Sequence, residues 1–421
     1  MDNNILWKAL AIIRTEGMCF LVKEVLTRKK LKFLLFPLSR LRYTLLHPDI
    51  KGYPRVDMVL NKDIAPTNMD KLLTVRLIEA YKKASIDEIE VLKVSKDDMW
   101  DRLKQGSHAK FVELLREENI DALAVHLCNM ARSGISEGLV QGENEYRKII
   151  SDRKYRQYLS ISHADMLVSL AEAIGVMPCE NPAQGTFGIN IFSDLDQIIE
   201  KIEQCMKINI IPPDIEGGLF KLNTKKGSMN CRDISAVYTA WRIKELLRGH
   251  SMPAICEIGA GIGKVAYYAN LLGIKYYTII DLPHVNVLQG FHLIKSLPSA
   301  NIILYGEGAT EKEDAIHVLP YWSFDRKAAE SFDLTLNQDS FPEINREIVL
   351  NYLKQMKRNT KKYFLSINWE SQGVTWFSNF KQKQNVVAEL VGEVQGFERI
   401  SRAPFWLRKG YVEEVFEIKR A

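Results

Sequence analysis

The stretch Ala254-Ile-Cys-Glu-Ile-Gly-Ala-Gly-Ile-Gly263 decides the fold of this chain, together with Tyr276-Tyr-Thr-Ile-Ile-Asp281. The first stretch is typical of a buried strand that ends in a glycine turn, and the residues that begin with Lys264 continue as a helix. The second stretch is a strand that ends in a carboxylate. Strand, glycine turn, helix and strand in this order predict the start of a mononucleotide-binding βαβ unit.

The chemistry of this unit predicts a nucleoside-like ligand. Glycine lets the backbone approach a ligand closely and adopt a positive φ, and the start of the following helix favours an anion. Asp281 comes 22 residues after Gly259, where a carboxylate can accept hydrogen bonds from ribose hydroxyls. A glycine turn of purely structural origin is the alternative.

The spacing of the glycines distinguishes two cofactor classes. A dinucleotide fingerprint, G-x-G-x-x-G, requires a small residue where this chain has Lys264. The observed pattern, Glu-x-Gly-x-Gly-x-Gly, resembles motif I of class I S-adenosylmethionine-dependent methyltransferases. That resemblance implies S-adenosyl-L-methionine as the cofactor, with contacts from Glu257, Gly259, Ala260, Gly261, Gly263, Asp281 and Leu282.

Three further segments narrow the resemblance. Asp281-Leu-Pro-His-Val285 is similar to the element that follows the second strand in small-molecule O-methyltransferases. Phe332-Asp-Leu-Thr-Leu-Asn-Gln-Asp-Ser-Phe-Pro-Glu-Ile344 and Asn230-Cys-Arg-Asp-Ile-Ser-Ala-Val-Tyr-Thr-Ala-Trp-Arg242 resemble bacterial sugar O-methyltransferases related to the sugar-tailoring enzyme of nanchangmycin biosynthesis. The resemblance covers about residues 218–418 and departs at Ile344, where the family is expected to have Met.

The resemblance implies a fold and an activity. The fold is α/β, a Rossmann-like methyltransferase domain with a seven-stranded, mostly parallel sheet. The activity is methyl transfer to a sugar hydroxyl, in a bacterial surface glycan or its lipid-linked precursor. A small natural-product acceptor is an alternative, and so is a non-catalytic module that serves glycan assembly.

Methyl transfer to a hydroxyl needs a group that removes its proton. Asp339 is the first candidate, since it follows a strand end, and Glu343 and Glu370 are further candidates. Asp339 could instead cap a helix that begins at Glu343. Asn337 is expected to touch the cofactor. Arg232 is expected to bind the methionyl carboxylate or, alternatively, to form a surface ion pair.

Other side chains have weaker assignments. We expect His284 to take a local or cofactor-wall role rather than act as a base. Aromatic side chains could stack on a sugar or simply pack in the core: Trp241, Trp322 and Trp369. The insert that contains Tyr321 and Trp322 is expected to line the adenine or acceptor pocket.

Length and pattern predict the organisation of the 421 residues. A basic amphipathic segment occupies residues 1–60, a helical region for acceptor binding or oligomerisation 61–217, and the methyltransferase domain 218–421, with a linker at 211–226. Predicted strands lie at 254–258, 275–281, 301–305, 333–337 and 362–367, with a closing hairpin at 397–403 and 411–418. Predicted helices lie at 264–272, 284–297 and 343–356.

The amino-terminal segment is strongly basic. Residues 1–56 hold eleven Lys and Arg against four acids, a net charge of +7, which leaves −2 for the rest of the chain. Basic and apolar residues alternate there, which suits a peripheral contact with anionic lipid at the inner face of the membrane. The alternative is an amphipathic helical pair packed on its own domain. Residues 33–38 are too short an apolar run to span a bilayer, and no signal peptide is predicted.

Composition excludes several other classes. The six cysteines lack metal-ligand spacing, so no metal is predicted and the thiols are expected to be reduced, in a cytoplasmic protein. A nucleic-acid substrate is not expected, because the Asn-Pro-Pro-Tyr type of motif is absent and the catalytic part is not basic. Association into a homo-oligomer stays open.

Overall fold

The amino-terminal part of the described chain is mainly helical, as the three- and four-residue spacing of apolar side chains predicts. The computed structural model describes residues 54–91, 99–181, 183, 185, 188–308, 314–370, 374–377 and 380–420. The helices of this part are α1 (Asn68–Val91), α2 (Met99–Gln105), α3 (Ala109–Arg116), α4 (Ile120–Cys128), α5 (Glu143–Ser151), α6 (Arg153–Ala173) and α7 (Leu195–Met206).

A small antiparallel sheet joins the two ends of this helical part. It consists of β1 (Met58–Leu60), β2 (Phe220–Thr224) and β3 (Gly227–Met229), with β2 in the middle. The sequence predicts a linker at 211–226, but the structure places β2 within it and buries Glu216 and Lys221 completely. Their ion pair, 3.2 Å between Nζ and Oε2, ties this segment into the core instead.

The main sheet has eight strands. They are β4 (Ala254–Ile258), β5 (Tyr276–Asp281), β6 (Ile302–Leu304), β7 (Ile316–Pro320), β8 (Phe332–Gln338), β9 (Thr360–Trp369), β12 (Phe397–Pro404) and β13 (Tyr411–Ile418). Between β9 and β12 the chain forms a separate hairpin of β10 (Val374–Phe377) and β11 (Phe380–Lys383). Their order across the sheet is β12-β13-β9-β8-β4-β5-β7-β6. Strands β4 to β9 are parallel, and β13 is antiparallel to both of its neighbours.

Helices connect these strands. They are α8 (Cys231–Leu246), α9 (Lys264–Leu271), α10 (Pro283–Ser296), α11 (Arg346–Asn359) and α12 (Val387–Gly392). The predicted α/β fold, with a mostly parallel Rossmann-like sheet after a helical region, is therefore confirmed. The predicted count of seven strands is wrong, because the prediction omits β7. It is β7 that pairs with β5, and the predicted third strand becomes the edge strand β6.

Apolar side chains cover both faces of the sheet. One cluster joins the helical region to the sheet and includes Leu77, Leu123, Tyr268 and Ile279. The other contains a group of phenylalanines, Phe324, Phe341, Phe364 and Phe416. Helix α1 packs directly on α10. The contact depends on Gly290, where an added Cβ would lie 2.6 Å from Leu77 Cδ2.

One prediction concerns residues at the start of the chain. The membrane contact assigned to residues 1–56 falls almost entirely outside the described residues, which begin at Pro54. Within the described ranges, no helix has the length and apolar character needed to cross a bilayer.

Candidate functional site

A cavity opens at the carboxyl ends of β4, β5 and β8. The strand order reverses between β4 and β8, which is where open α/β sheets bind their ligands. The empty volume is about 1160 Å³ including open solvent, enough for a nucleoside-sized ligand. Its walls include these predicted residues: Arg232, Glu257, Gly259, Ala260, Gly261, Asp281, Leu282, Tyr321 and Asp339.

The glycine turn forms the floor of the cavity. Gly259, Gly261 and Gly263 all have positive φ. The Gly259 N–H donates to the Ile280 carbonyl at 3.0 Å, which fixes the turn against β5. Gly263 is the residue before α9 and does not line the cavity, so its predicted contact with a cofactor is not supported.

Asp281 faces the cavity from the end of β5. Its carboxylate accepts hydrogen bonds from Ala260 N at 3.1 Å, Leu282 N at 2.8 Å and Gln289 Nε2 at 2.6 Å. A carboxylate has about four acceptor positions, so one remains for a ligand. Burial raises the pKa of Asp281 to about 6, although the three donors oppose this shift.

Glu257 lies beneath the turn. It is buried, and the Tyr277 hydroxyl donates to its Oε2 at 2.8 Å. Burial raises the pKa of Glu257 to about 8, since the hydrogen bond from Tyr277 only partly offsets the loss of solvent.

Lys264, the first residue of α9, is held by a buried ionic cluster. Its Nζ lies 2.7 Å from Asp233 Oδ1 and 3.0 Å from Glu216 Oε1, and all three side chains are at most 5% exposed. Burial alone would lower the pKa of Lys264, but the two carboxylates raise it above its usual value. The cluster joins three separate segments of the chain under the cavity.

Asp339 is held by three side chains. Arg232 Nη1 and Arg408 Nη1 both donate to its Oδ2, at 2.7 and 2.9 Å, and the Tyr411 hydroxyl donates to Oδ1. Its φ is +66°, a left-handed conformation that is uncommon outside glycine. Burial would raise the pKa of Asp339, but the two guanidinium groups lower it below its usual value. A carboxylate in this state is a weak proton acceptor.

Helix α11 begins later than the sequence predicts. Its first residue is Arg346 and its N-cap is Asn345, which accepts a hydrogen bond from Glu347 N. The interpretation of Asp339 as a cap of a helix from Glu343 is therefore wrong, because residues 339–345 form the turn between β8 and α11.

Glu343 lies in this turn, half-buried and close to Asp339. Burial and the negative charge of Asp339 raise its pKa to about 8, against the opposing effect of Arg232 and Arg408. Of the candidate bases, Glu343 is the one whose proton affinity suits the removal of a hydroxyl proton near neutral pH.

The pKa of Glu343 should fall when Asp339 is replaced by Asn. We expect a decrease of about one unit or more, because a repelling carboxylate is removed while both guanidinium groups stay. Carbon-13 NMR of labelled glutamate carboxyl groups measures it, with Glu343→Gln assigning the resonance. Asp333→Asn, at the opposite end of β8, is the control and should change nothing. An unchanged pKa in Asp339→Asn would contradict this electrostatic account.

Besides Gly263 and Glu343, two predicted site residues are not among those that line the cavity. Asn337 is completely buried, and its amide donates to the Ile258 carbonyl at 2.9 Å and to Ser340 Oγ at 2.6 Å. It fastens β8 to β4 and does not line the cavity. Glu370 forms a two-pronged ion pair with Arg402, 2.7 Å for each contact, and does not line the cavity.

For two further side chains, the structure distinguishes between the alternatives that the sequence left open. His284 is buried against His108, with 3.3 Å between Nε2 and Nδ1, outside the cavity wall. Trp322 is 2% exposed and packs edge-on against Tyr305 and Tyr321, so its role is in the core.

The sequence missed several wall residues. Gln338 lines the cavity in place of Asn337, oriented by Ser235 and Thr239. Trp100, Gly138 and Leu139 close the cavity from the helical region. No local signal marks these three, because long-range packing of the helical region brings them to the glycine turn. Among the residues that the structure describes, no three His, Cys, Asp or Glu side chains are grouped to hold a metal ion.

Comparison with known proteins gives only distant structural likenesses. No family model matches the chain, and no curated protein matches its sequence. One similar structure is Burkholderia thailandensis 1,6-didemethyltoxoflavin-N1-methyltransferase with S-adenosylhomocysteine, at 16% identity and TM-score 0.32, over 44% of this chain and 79% of that chain. Another is the glycopeptide N-methyltransferase MtfA with the same ligand, at 16% identity and TM-score 0.32, over 43% and 88%.

A third likeness is a SAM-dependent methyltransferase from Aquifex aeolicus, at 15% identity and TM-score 0.31, over 43% of this chain and 89% of that chain. Likenesses at this level carry no argument for an activity.

Proposed function

We propose that the protein is an S-adenosylmethionine-dependent O-methyltransferase that acts on a sugar hydroxyl. The observation that carries the proposal is the glycine turn beside Asp281, at the point where the strand order of a parallel sheet reverses. The sugar acceptor rests on the resemblance of residues 218–418 to sugar O-methyltransferases. The proposed setting is bacterial glycan assembly.

The residues of the cavity fit this cofactor. The remaining acceptor position of Asp281 suits a ribose hydroxyl, and the apolar side chains of Ile280 and Leu282 with the ring of Tyr321 suit an adenine. The guanidinium of Arg232 lines the same cavity and can bind a carboxylate. When bound, S-adenosylmethionine supplies an electrophilic methyl group.

Lys264 argues against a dinucleotide. It stands where the fingerprint needs a small residue, and its ammonium is fixed by Asp233 and Glu216.

Glu343 is the proposed base. Its raised pKa lets the ionised form take a hydroxyl proton, whereas the ion pairs of Asp339 hold that carboxylate in its charged form. Asp339 is instead a positioning residue, because it orients Arg232 at the cavity wall.

Calorimetric titration tests the cofactor. We expect wild-type protein to bind S-adenosylmethionine and not NAD, with an affinity that rises between pH 5 and pH 7. The affinity rises with pH because burial raises the pKa of Asp281 to about 6. At pH 5 this carboxyl is therefore mostly protonated and accepts fewer hydrogen bonds. Asp281→Asn should weaken binding by about 10- to 100-fold and remove this pH dependence.

The matched control is Asp333→Asn. Asp333 also accepts a backbone hydrogen bond, from Ala254 N at 2.8 Å, but lies at the opposite end of the sheet. The affinity of Asp333→Asn for S-adenosylmethionine should equal that of the wild type. Failure of the wild type to bind S-adenosylmethionine would overturn the proposed function.

For the sugar, mass spectrometry of surface polysaccharide from a deletion strain should show the loss of one methyl group per repeat or terminus.

A further inference from the structure

We infer that the acceptor carries an anionic group, a phosphate or a carboxylate, which Arg408 binds at the mouth of the cavity. This inference rests on the proposed function and adds the chemical class of the acceptor. It starts from the arrangement of charges around Asp339.

Two guanidinium groups share one carboxylate oxygen there. Arg232 Nη1 and Arg408 Nη1 both donate to Asp339 Oδ2, at 2.7 and 2.9 Å. One negative charge faces two positive charges, so the group carries a surplus of one positive charge. Glu343 does not cancel it near pH 7, because its pKa of about 8 keeps most of the carboxyl protonated.

Arg408 is held in place but remains accessible. Its guanidinium stacks on the ring of Tyr411, 4.1 Å from the ring centre, and its side chain is 45% exposed. A guanidinium has five N–H donors, and among the described residues only Asp339 accepts one from Arg408. The remaining donors form a preorganised fork that matches phosphate or carboxylate geometry.

An aromatic side chain accompanies this fork. Trp406 lies in the same turn, between β12 and β13, and is 54% exposed. Its Nε1–H donates to Glu172 Oε2 at 2.8 Å, which fixes the indole and leaves a ring face open to solvent. An exposed indole on the same turn as the Arg408 fork suits an acidic or phosphorylated sugar.

Anion titration of the protein loaded with S-adenosylhomocysteine tests the inference. The loaded protein is used so that the cofactor carboxylate already occupies Arg232. Inorganic phosphate and acetate are titrated separately by calorimetry, and the stronger binder identifies the type of anion. We expect binding in the millimolar range, weakened about tenfold or more by Arg408→Gln and partly restored by Arg408→Lys, which keeps the charge but not the fork.

Arg399→Gln is the matched control. Arg399, on strand β12, is 50% exposed, and its one ion pair within the described part of the chain is with Glu414 of β13, at 3.1 Å. It should bind anions and S-adenosylhomocysteine as the wild type does, and each Arg408 variant is titrated at a concentration of S-adenosylhomocysteine that saturates that variant. Absence of binding for both anions in the loaded wild type, or equal binding by Arg408→Gln, would overturn the inference. Failure to load S-adenosylhomocysteine would instead overturn the proposed function.

Discussion

Gly259→Ala is expected to destabilise the protein and to abolish most of its affinity for S-adenosylmethionine. An added Cβ would lie 2.3 Å from Ser340 Oγ and 2.7 Å from Ser340 Cβ. Ser340 cannot move aside easily, because Asn337 donates to its hydroxyl at 2.6 Å. The φ of +73° adds the strain of a left-handed conformation, about 1–2 kcal/mol.

Gly273→Ala separates the cost of the close contact with Ser340 from the cost of the left-handed backbone. Gly273 has φ +90°, and an added Cβ there meets nothing within 4 Å. It should cost only the backbone strain, whereas Gly259→Ala should cost about 1–3 kcal/mol more for the overpacking. Urea unfolding measures the difference, and calorimetry should show an affinity loss in Gly259→Ala alone.

The double variant Gly259→Ala with Ser340→Gly completes this test. Removing the Ser340 side chain removes both close contacts, so the excess destabilisation should largely disappear. If Gly259→Ala and Gly273→Ala are equally stable and bind equally well, the close approach of Ser340 to the glycine turn has no energetic role.

Lys264→Met is expected to lower the free energy of unfolding by about 3–5 kcal/mol, because it leaves Asp233 and Glu216 as buried charges without their shared cation. The matched control is Lys225→Met. Lys225 is 77% exposed and lies 3.8 Å from Asp196, so its loss should cost at most about 1 kcal/mol. Urea unfolding at pH 8 measures both.

The pH dependence gives an independent check. In the wild type, burial would raise the pKa of Glu216, but Lys264 and Lys221 lower it well below its usual value. Its stabilising effect is therefore present above the ordinary pKa of a glutamate and is lost as the pH falls. In Lys264→Met the pKa of Glu216 rises because one of its two cations is lost, so the deficit relative to wild type should shrink from pH 8 towards pH 5. A deficit that does not depend on pH would mean that lost packing, and not charge, causes it.

The sequence predicted the βαβ unit around Gly259 well. Its strands and helix are encoded locally, by apolar runs of five or six residues, glycines at fixed spacing and a carboxylate at the end of β5. Arg232 also lies in the first turn of α8, as expected, where Asn230 and Asp233 form a reciprocal cap. Local signals were sufficient wherever one segment determines its own conformation.

The position of β7 was missed for a different reason. Residues 301–305 and 316–320 are both short apolar runs, and nothing within either run says which of them pairs with β5. The pairing of Tyr277 with Ile316 depends on packing across the sheet. The same holds for Asn337 and Gln338, since the contact of β8 with the Ile258 carbonyl decides which amide faces the cavity.

The sequence by itself determined the side of the cavity where we propose that the cofactor binds, because a glycine turn, a helix start and a strand-end carboxylate lie within 25 residues and fold as one local unit. Only the tertiary structure decided the chemistry of Asp339 and Glu343. Arg408 and Tyr411 reach Asp339 across 69 and 72 residues of chain, and the charge of each carboxyl depends on such neighbours and on burial. Electrostatic environment is a property of the folded assembly, so no local pattern could have assigned the base.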